Sequence, residues 1–541
     1  MNLVFSNNSF ALYTPTLSAS VDQANLQVNG NRVINSTDKT TEIPFNFTVN
    51  TNNRTGYTAT LSTETENTAL TNVGSASSTK IDSISNILSL NNLPNNTWGY
   101  KFGSSTKYAP IPALSTPAQI LQTAEKTNGN ESNQLSIGMK LADNLESGNY
   151  QNKLILSFVS NPYTMHALMT TGIDFNTKIK TFETGENRIE YISRSTTAPS
   201  SGVNTVSLED GVNSDYEIKA WYDAATKTVY YYTEAEKIFL NDDSNAMFHS
   251  LVNLKSLDVA SFDTSKVRGM GNMFFGDEKL TTLDLSNFDT QNLTNMDKMF
   301  YGMSNLTSLN IGSFDTSKVT NMDSLFYGMV NIENINVSNF DTRSVTNMNH
   351  MFSSMHKLKQ LQLPATFNTS GVTDMGYMFY NSKSLTSLDV SMFNTEKVTN
   401  MREMFGYLES VTNLKFGSGF NTKNVTDMYG MFGTLCSMRE LDLSGAVFDT
   451  AEVNDFDAMF SVFGCTSGVG VLEKIYVNND FDLTSAKAYK VSNPTSNLDI
   501  FHKQPLLRGA MGSYWTNPGD ANFDGLRIDR AGAKGYFTRK P

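Results

Sequence analysis

The chain has 541 residues and a formal net charge of -12, because 53 Asp and Glu outweigh 41 Lys and Arg. This length predicts two to four domains or a repeat array rather than one core. An acidic chain without a Lys/Arg cluster excludes a nucleic-acid partner, since binding to a phosphate backbone needs a basic stripe. Only 17% of the residues are charged and mean hydropathy is -0.31, so the polarity comes largely from Asn, Ser and Thr.

The start of the chain carries no targeting signal. It reads MNLVFSNNSFALYTPTLSAS, without the basic and continuous apolar stretches of a signal peptide. No apolar run approaches the roughly 18 residues of a spanning helix, so we predict no membrane segment. Either the protein is cytosolic, or its targeting and anchoring segments lie outside this sequence.

Short runs of alternating apolar and polar residues fill positions 40 to 160. They include IPFNFTVN from Ile43 and YTATLS from Tyr57. Period-two runs separated by Asn, Gly, Ser and Pro predict the strands of an Ig-like β-sandwich over residues 1–160. Trp98 is predicted to be a core anchor of this module.

A β-hairpin is predicted next in the chain. The segment from Tyr216 reads YEIKAWYDAATKTVYYYTEAEKIFL, with two β-rich runs on either side of DAATKT. We therefore assign residues 161–244 to a connector and a hairpin that caps the following repeats.

A Met-Phe pair, once replaced by Leu-Phe, then recurs every 26 to 28 residues. A period of this length indicates stacked repeats. We assign residues 245–480 to the repeats and residues 481–541 to a C-terminal cap. The pairs begin at Met247, Met273, Met299, Leu325, Met351, Met378, Met404, Met431 and Met459.

Each copy combines two periodicities. Leu280, Leu283 and Leu285 match the L-x-x-L-x-L opening of a leucine-rich repeat, which is a short strand. An apolar stripe at helical spacing follows in Leu293, Met296, Met299, Phe300 and Met303. The predicted fold is therefore multidomain, with the β-sandwich followed by an α/β leucine-rich-repeat solenoid that has a hairpin N-cap and a C-terminal cap.

The Phe, Val and Met positions of the repeats are predicted to be core. In one copy these are Phe314, Val319, Met322 and Phe326. The residue after the first Phe of each copy is Asp or Asn, which both satisfy turn amides, whereas a Ca²⁺ ladder would prefer carboxylates. We predict turns at Asp263, Asp289, Asp315, Asp341, Asn368, Asn394, Asn421 and Asp449.

The stretch NMFFGDEKLTTLDLSNFDTQNLTNMDKMFYGMSNLTSLNIGSFDTSKVTNM, from Asn272, resembles the BspA-like leucine-rich-repeat surface proteins of bacteria. The hairpin segment and the closing LLRGAMGSYWTNPGDANFDGLRIDRAGAKGYFTRKP are similar to segments that flank these repeats, and NTWGY and YAPIPAL resemble a β-rich module found ahead of them. The resemblance implies secretion, attachment to the cell surface and adhesion. It favours targeting and anchoring segments outside this sequence.

The candidate ligand-binding residues are strand positions predicted to point outward: Asp258, Asp284, Asn310, Asn336, Gln362 and Asp389. Repeat proteins use such faces for recognition. Hot spots of protein interfaces are rich in Trp, Tyr and Arg. This polar face is therefore better suited to weak multivalent binding of glycans than to tight binding of a protein. A second stripe, predicted to be packing, contains Tyr301, Tyr327, Tyr380 and Tyr407.

No serine-hydrolase, P-loop, zinc-protease or dinucleotide motif is present, so we predict no enzymatic activity and no cofactor. The predicted function is a non-catalytic adhesin, extracellular and attached to the cell surface. Its expected partner is a host extracellular-matrix protein, a glycan or another microbial surface. The alternative is a structural stalk or surface-coat spacer without its own ligand.

Two features leave alternatives open. DANFDG places Asp520, Asn522 and Asp524 as in the first half of an EF-hand loop, but position twelve is Ala531 instead of Glu, so this is a weak Ca²⁺ candidate and a turn is expected. Cys436 and Cys465 follow the Met-Phe pairs of adjacent repeats. They form a disulfide or two buried thiols, and the thiols are the expectation.

Overall fold

A computed structural model describes residues 12–74, 78–492 and 499–540. The chain divides into two compact units. One is Tyr13–Met165, and the other contains His166–Pro541.

The first unit is built around one large, mainly antiparallel sheet and a smaller one. Its one α-helix among the described residues is α1, Gly30–Ile34, and a 3₁₀ turn follows at Leu90–Asn92. Its strands are β1 Leu17–Val21, β2 Thr40–Thr51, β3 Tyr57–Thr63, β4 Leu70–Val73, β5 Lys80–Ser83, β6 Leu88–Ser89, β7 Thr97–Phe102, β8 Lys107–Tyr108, β9 Ala118–Gln122, β10 Glu131–Lys140, β11 Asn149–Gln151 and β12 Leu154–Ser160.

The predicted Ig-like β-sandwich is wrong. Seven strands, in the order β1-β2-β10-β7-β5-β4-β11, form a half-barrel sheet, while β12-β3-β9 form a three-stranded sheet. Strand β2 pairs with β1 on one side and with β10 on the other, so these strands belong to one continuous sheet. Alternation predicted the strands but carries no information on which strands pair. Trp98 is a core residue as predicted, 3% exposed, and its indole N–H donates to the Thr68 carbonyl at 2.9 Å.

The second unit begins with α2, Gly172–Lys180, among short strands. The hairpin predicted around DAATKT is present, and Trp221 faces Tyr230 across it. Its strands are β16 and β17 in the series β13 Ala167–Leu168, β14 Tyr191–Arg194, β15 Val206–Ser207, β16 Lys219–Asp223, β17 Thr228–Tyr232 and β18 Ile238–Phe239.

The repeats contribute only strands of two to four residues. Strands of adjacent repeats pair in parallel, as β21 does with β22 and β23 with β24. A short helix, α3 Thr484–Ser492, follows the repeats. The strands are β19 Ser256–Leu257, β20 Phe262–Asp263, β21 Thr282–Asp284, β22 Ser308–Asn310, β23 Ser387–Asp389, β24 Asn413–Lys415, β25 Glu440–Asp442, β26 Lys474–Val477 and β27 Phe537–Arg539.

The predicted α/β solenoid is also wrong, because the Met-Phe segments are turns and not helices. Across its described residues the chain is 25% strand and only 6% helix, in many small separate sheets. The residue before each Met-Phe or Leu-Phe pair has a positive φ, which ends a right-handed helix. These residues are Ala246, Asn272, Lys298, Ser324, His350, Tyr377, Glu403, Gly430 and Ala458.

Backbone hydrogen bonds in these turns run mainly between repeats. The N–H groups of Lys298 and Phe300 donate to the carbonyls of Asp323 and Leu325 in the next repeat, at 2.8 and 3.1 Å. The amide of Met299, between them, donates within its own turn to Met296 at 3.3 Å. The amides of the segment are therefore satisfied without helical bonds.

The apolar positions are nevertheless core, as predicted. Phe314, Val319, Met322 and Phe326 are at most 2% exposed. The Phe300 ring stacks on the Phe326 ring of the next repeat, with centroids 5.8 Å apart. Apolar residues at helical spacing in the sequence therefore fill the core from a series of stacked turns and not from a helix.

The predicted Asx turns are present. In each of the eight copies the Asp or Asn side-chain oxygen accepts a hydrogen bond from the backbone N–H two residues later. The sequence pattern did not predict a role for the Thr that follows each of these Asx residues. The Thr316 hydroxyl, for example, donates to the Asp341 carbonyl at 2.9 Å and accepts from the Asp341 N–H at 2.8 Å. This threonine ties neighbouring repeats together.

Cys436 and Cys465 form a disulfide, with Cα atoms 5.5 Å apart, so the expectation of free thiols is wrong. The stacking of consecutive repeats brings the two residues together across 29 positions of sequence.

Candidate ligand-binding face of the repeats

The six predicted ligand-binding positions recur at corresponding places in consecutive repeats. Asp284, Asn310 and Asp389 lie in short strands, whereas Asp258, Asn336 and Gln362 lie outside the strands. In β21 the flanking Thr282 and Asp284 are exposed while Leu283 between them is buried. We call the face formed by such positions the outer face. Asp284, Asn310, Asn336, Gln362 and Asp389 are exposed and Asp258 is half-buried.

Parallel pairing brings some of these side chains together. Asp284 faces Asn310 in register, and the Asn310 side-chain amide donates to the Asp284 carboxylate at 3.0 Å. Asp389 faces Lys415 and binds its ammonium group at 2.9 Å. The outer face therefore carries polar side chains that contact one another between repeats.

Three of these side chains also form Asx turns with the backbone that follows them. The side-chain oxygens of Asp284, Asn336 and Asp389 accept hydrogen bonds from the backbone N–H two residues later, at 2.9 to 3.0 Å. The hydrogen bond from the Ser286 amide is the main cause that lowers the pKa of Asp284 below its usual value. Asp284 is therefore an anion whose position on the face is fixed by its turn.

A concave region of about 540 Å³ lies where the outer face reaches β25, β26 and the closing segment. We call it the terminal groove. Its lining residues are Thr412, Asn413, Ser437, Arg439, Glu440, Asp442, Tyr476 and Lys540.

The charged groups of the terminal groove are paired. Arg439 binds Glu473, and Lys540 binds Asp442. The Tyr476 hydroxyl lies 3.5 Å from the Glu440 carboxylate. The groove therefore offers donors, acceptors and an aromatic ring without an excess of either charge.

The sequence pattern did not predict Arg439, Tyr476 or Lys540 at this place, and Tyr476 adds an aromatic ring to the otherwise polar face. Tyr476 pairs in register with Asp442 although 34 residues separate them, against 26 between Asp284 and Asn310. KIYV in β26 retains the alternation of a strand, and this was the available signal. Lys540 reaches the groove after β27, which joins the same sheet.

A second polar depression, of about 480 Å³, lies at the turns after the Phe-Asx-Thr motifs. Lys423 pairs there with Glu396 of the preceding repeat. Neither ring systems nor buried charges line it. Its residues are Ser370, Asn394, Glu396, Lys397, Lys423 and Asn424.

The tyrosine stripe packs, as predicted for its members. The rings of Tyr301 and Tyr327 are stacked with centroids 4.5 Å apart and planes within 9°. Phe275 continues this stack, whereas Tyr380 and Tyr407 meet edge to face at 5.3 Å. Where rings stack on one another, their faces are covered and only their edges remain for a ligand.

The weak Ca²⁺ candidate lies in a kinked 3₁₀ segment, Pro518–Gly525. The Asp520 carboxylate accepts from the Asn517 amide, and Asp524 pairs with Arg527 at 3.3 Å. Asn522 has a positive φ at the kink. Within residues 12–74, 78–492 and 499–540, no group of three or more Asp, Glu, His or Cys side chains is placed to hold a metal ion.

The comparisons with known proteins give one similarity. Residues 242–364, 322–439 and 384–467 match the family described as "Mycoplasma protein of unknown function, DUF285". The overlapping matches coincide with the repeats. No curated protein and no solved structure matches the chain. In the described part of the chain, none of the helices has the length and apolar character needed to span a bilayer.

Proposed function

We propose that this protein is a bacterial adhesin, exported and attached to the cell surface, that binds its ligand without catalysis through the outer face of its repeats. The observation that carries the proposal is the presentation of polar side chains at corresponding positions of successive repeats, with Asp284, Asn310 and Asp389 on short parallel strands. Parallel strands lie about 4.8 Å apart, so the face repeats a small set of contacts at a fixed spacing. Such a surface suits repetitive ligands, which are bound by many weak contacts at once.

The disulfide supports the proposed location. Disulfides persist in oxidising compartments and are rare in the cytosol. Both cysteines of the chain are used in the one bond, Cys436–Cys465. The bond therefore supports export to an oxidising compartment, which the proposed location requires.

The pairing of the charged groups favours binding over catalysis. A catalytic site needs titratable groups that converge on one position, with pKa values matched to their task. On the outer face Asp389 is paired with Lys415, and Asp284 caps a turn. We therefore propose a non-enzymatic protein without a cofactor, whose ligand is a host extracellular-matrix protein, a glycan or another microbial surface. The net charge of -12 argues against nucleic acid.

The alternative is a stalk or surface-coat spacer without a ligand. It is favoured by the contacts within the outer face, since Asp284 and Asn310 bind each other. One continuous apolar core extends from Ala167 to Phe537, as a rigid spacer requires. The two functions differ in what happens when the outer face is blocked.

The test is binding of the full chain, displayed on beads, to cells, matrix proteins and an oligosaccharide array. A double variant, Ser308→Arg with Ser387→Arg, covers the outer face at two exposed strand positions and leaves the Asx turns intact. Gln291→Arg, at an exposed turn off the face, is the matched control. We expect the double variant to abolish binding and the control to retain it. Binding that survives the double variant refutes the outer face, and no binding by any form favours the spacer.

A further inference from the structure

The terminal groove differs from the rest of the outer face in chemistry. Elsewhere the outward positions carry Asp, Asn, Gln, Lys, Ser and Thr, but here a half-buried tyrosine and an arginine join the lining. Tyr476 alternates with the buried Ile475 and Val477 on β26, so its side chain lies on the solvent side of the sheet. A ring on a polar strand face combines an apolar surface with a hydrogen-bonding tip.

The charge of the groove limits the ligand. Of its eight lining residues, Arg439 and Lys540 are basic and Glu440 and Asp442 are acidic, so the formal charges cancel. Arg439 and Lys540 already have carboxylate partners. An ionic ligand would meet charges of both signs in the groove and gain no net electrostatic attraction there. The favoured ligand is therefore polar and uncharged.

The groove is also poorly suited to a peptide. An extended peptide is bound at a sheet edge through main-chain hydrogen bonds, or by pockets for its apolar side chains. β25 and β26 pair with each other in the sheet, and the groove lies over their side chains. Apart from the Tyr476 ring, its lining residues are polar or charged, and no Val, Leu, Ile or Met is among them to form an apolar side-chain pocket. A sugar instead presents hydroxyl groups along its rim and C–H groups on its ring face, which match the carboxylates, ammonium groups and tyrosine ring.

We propose that the terminal groove is a subsite for a neutral oligosaccharide, with the Tyr476 ring against a sugar face and Glu440 accepting hydrogen bonds from sugar hydroxyls. A volume of about 540 Å³ is within the range of ligand sites, which is roughly 300–1,000 Å³. This inference rests on the proposed function. It names the class of ligand and places the strongest contact with that ligand at one end of the outer face.

The test uses the full chain on a printed array of neutral, sialylated and sulfated oligosaccharides, with matrix proteins as additional spots. Tyr476→Ala removes the ring, and Tyr476→Phe keeps it. Tyr514→Ala, an exposed tyrosine that does not line the groove, is the matched control. Circular dichroism of each variant verifies that the fold is retained.

The expected result is binding to neutral oligosaccharides that Tyr476→Ala weakens at least about tenfold, as the loss of a hot-spot residue does. Tyr476→Phe and Tyr514→Ala should each change the affinity less than about threefold, within the range of near-neutral interface contacts. Added NaCl should have little effect on the affinity, because an uncharged ligand makes no ion pairs.

Three results overturn the inference but leave the proposed function standing. These are binding that Ser308→Arg with Ser387→Arg abolishes and Tyr476→Ala does not change, binding restricted to sialylated or sulfated sugars, and binding to matrix proteins alone. Binding to no spot by any form overturns both proposals.

Discussion

Replacing the buried threonine of one Phe-Asx-Thr motif should destabilise the contact between two repeats. Thr316 is completely buried, and its hydroxyl makes two hydrogen bonds with the backbone of Asp341. Thr316→Val keeps the shape of the side chain but leaves the Asp341 N–H and C=O without this partner. Each lost bond costs about 0.5–1.5 kcal/mol, and an unsatisfied buried group about 1–3 kcal/mol, so we expect a loss of roughly 2–4 kcal/mol.

Urea unfolding followed by circular dichroism measures this loss, and hydrogen exchange of the peptides that contain Asp341 localises it. Thr320→Val is the matched control. The Thr320 hydroxyl also bonds to a neighbouring repeat, here the preceding one, and lies 3.2 Å from the Thr294 carbonyl, but the Thr320 side chain is exposed. The control should cost less than about 0.5 kcal/mol, the usual range of surface substitutions. Equal effects of the two substitutions would show that the buried threonine does not hold the repeats together.

Two further predictions concern the disulfide and a buried carboxyl group. Reduction, or Cys436→Ser with Cys465→Ser, should lower stability by about 3–4 kcal/mol, the loop-closure value for a sequence separation of 29; a melting temperature that dithiothreitol does not lower in the native protein would contradict this. Asp277 is completely buried, and burial raises its pKa well above the usual value of 3.8. Its protonated form therefore favours the fold, and stability falls as pH rises from 3.8 towards the raised pKa. Asp277→Asn mimics the protonated acid, so its melting temperature should exceed that of the native protein at neutral pH and match it in acid; a constant difference between the two proteins across this range would refute the assignment.

The sequence predicted which side chains are buried better than it predicted the backbone that buries them. Met299, Phe300 and Met303 have helical spacing, and all three are completely buried. The same spacing arises in a turn that has a residue with positive φ near each end, as at Lys298 and Gly302. Lys at such a position carries no signal of positive φ, since most non-glycine residues avoid that region. Periodicity alone could not separate the helix from the stacked turn.

The Asx-Thr part of each repeat was predicted only in part, because the Asx turn lies within one repeat whereas the Thr bonds to the next repeat. Asp315 and its counterparts were assigned to turns, because Asp and Asn share the ability to accept from an amide two residues later. The role of Thr316 depends on the next repeat, 25 residues away, and cannot be derived within one copy. Strand order in the first unit has the same limit, since β2 and β10 pair although most of the unit's strands lie between them in sequence.

The repeated architecture also determines where recognition can differ along the chain. Asp284 and Asn310 show the regular case, in which similar side chains recur one strand further on and contact each other. A face of such contacts can provide many weak interactions but little discrimination between ligands. The period lengthens between Asp442 and Tyr476, where the inserted residues and the closing β27 bring an aromatic ring and a second chain segment to the same face. Specificity is therefore expected where the repetition ends, and Tyr476 and Lys540 both lie beyond residue 467, where the family match ends.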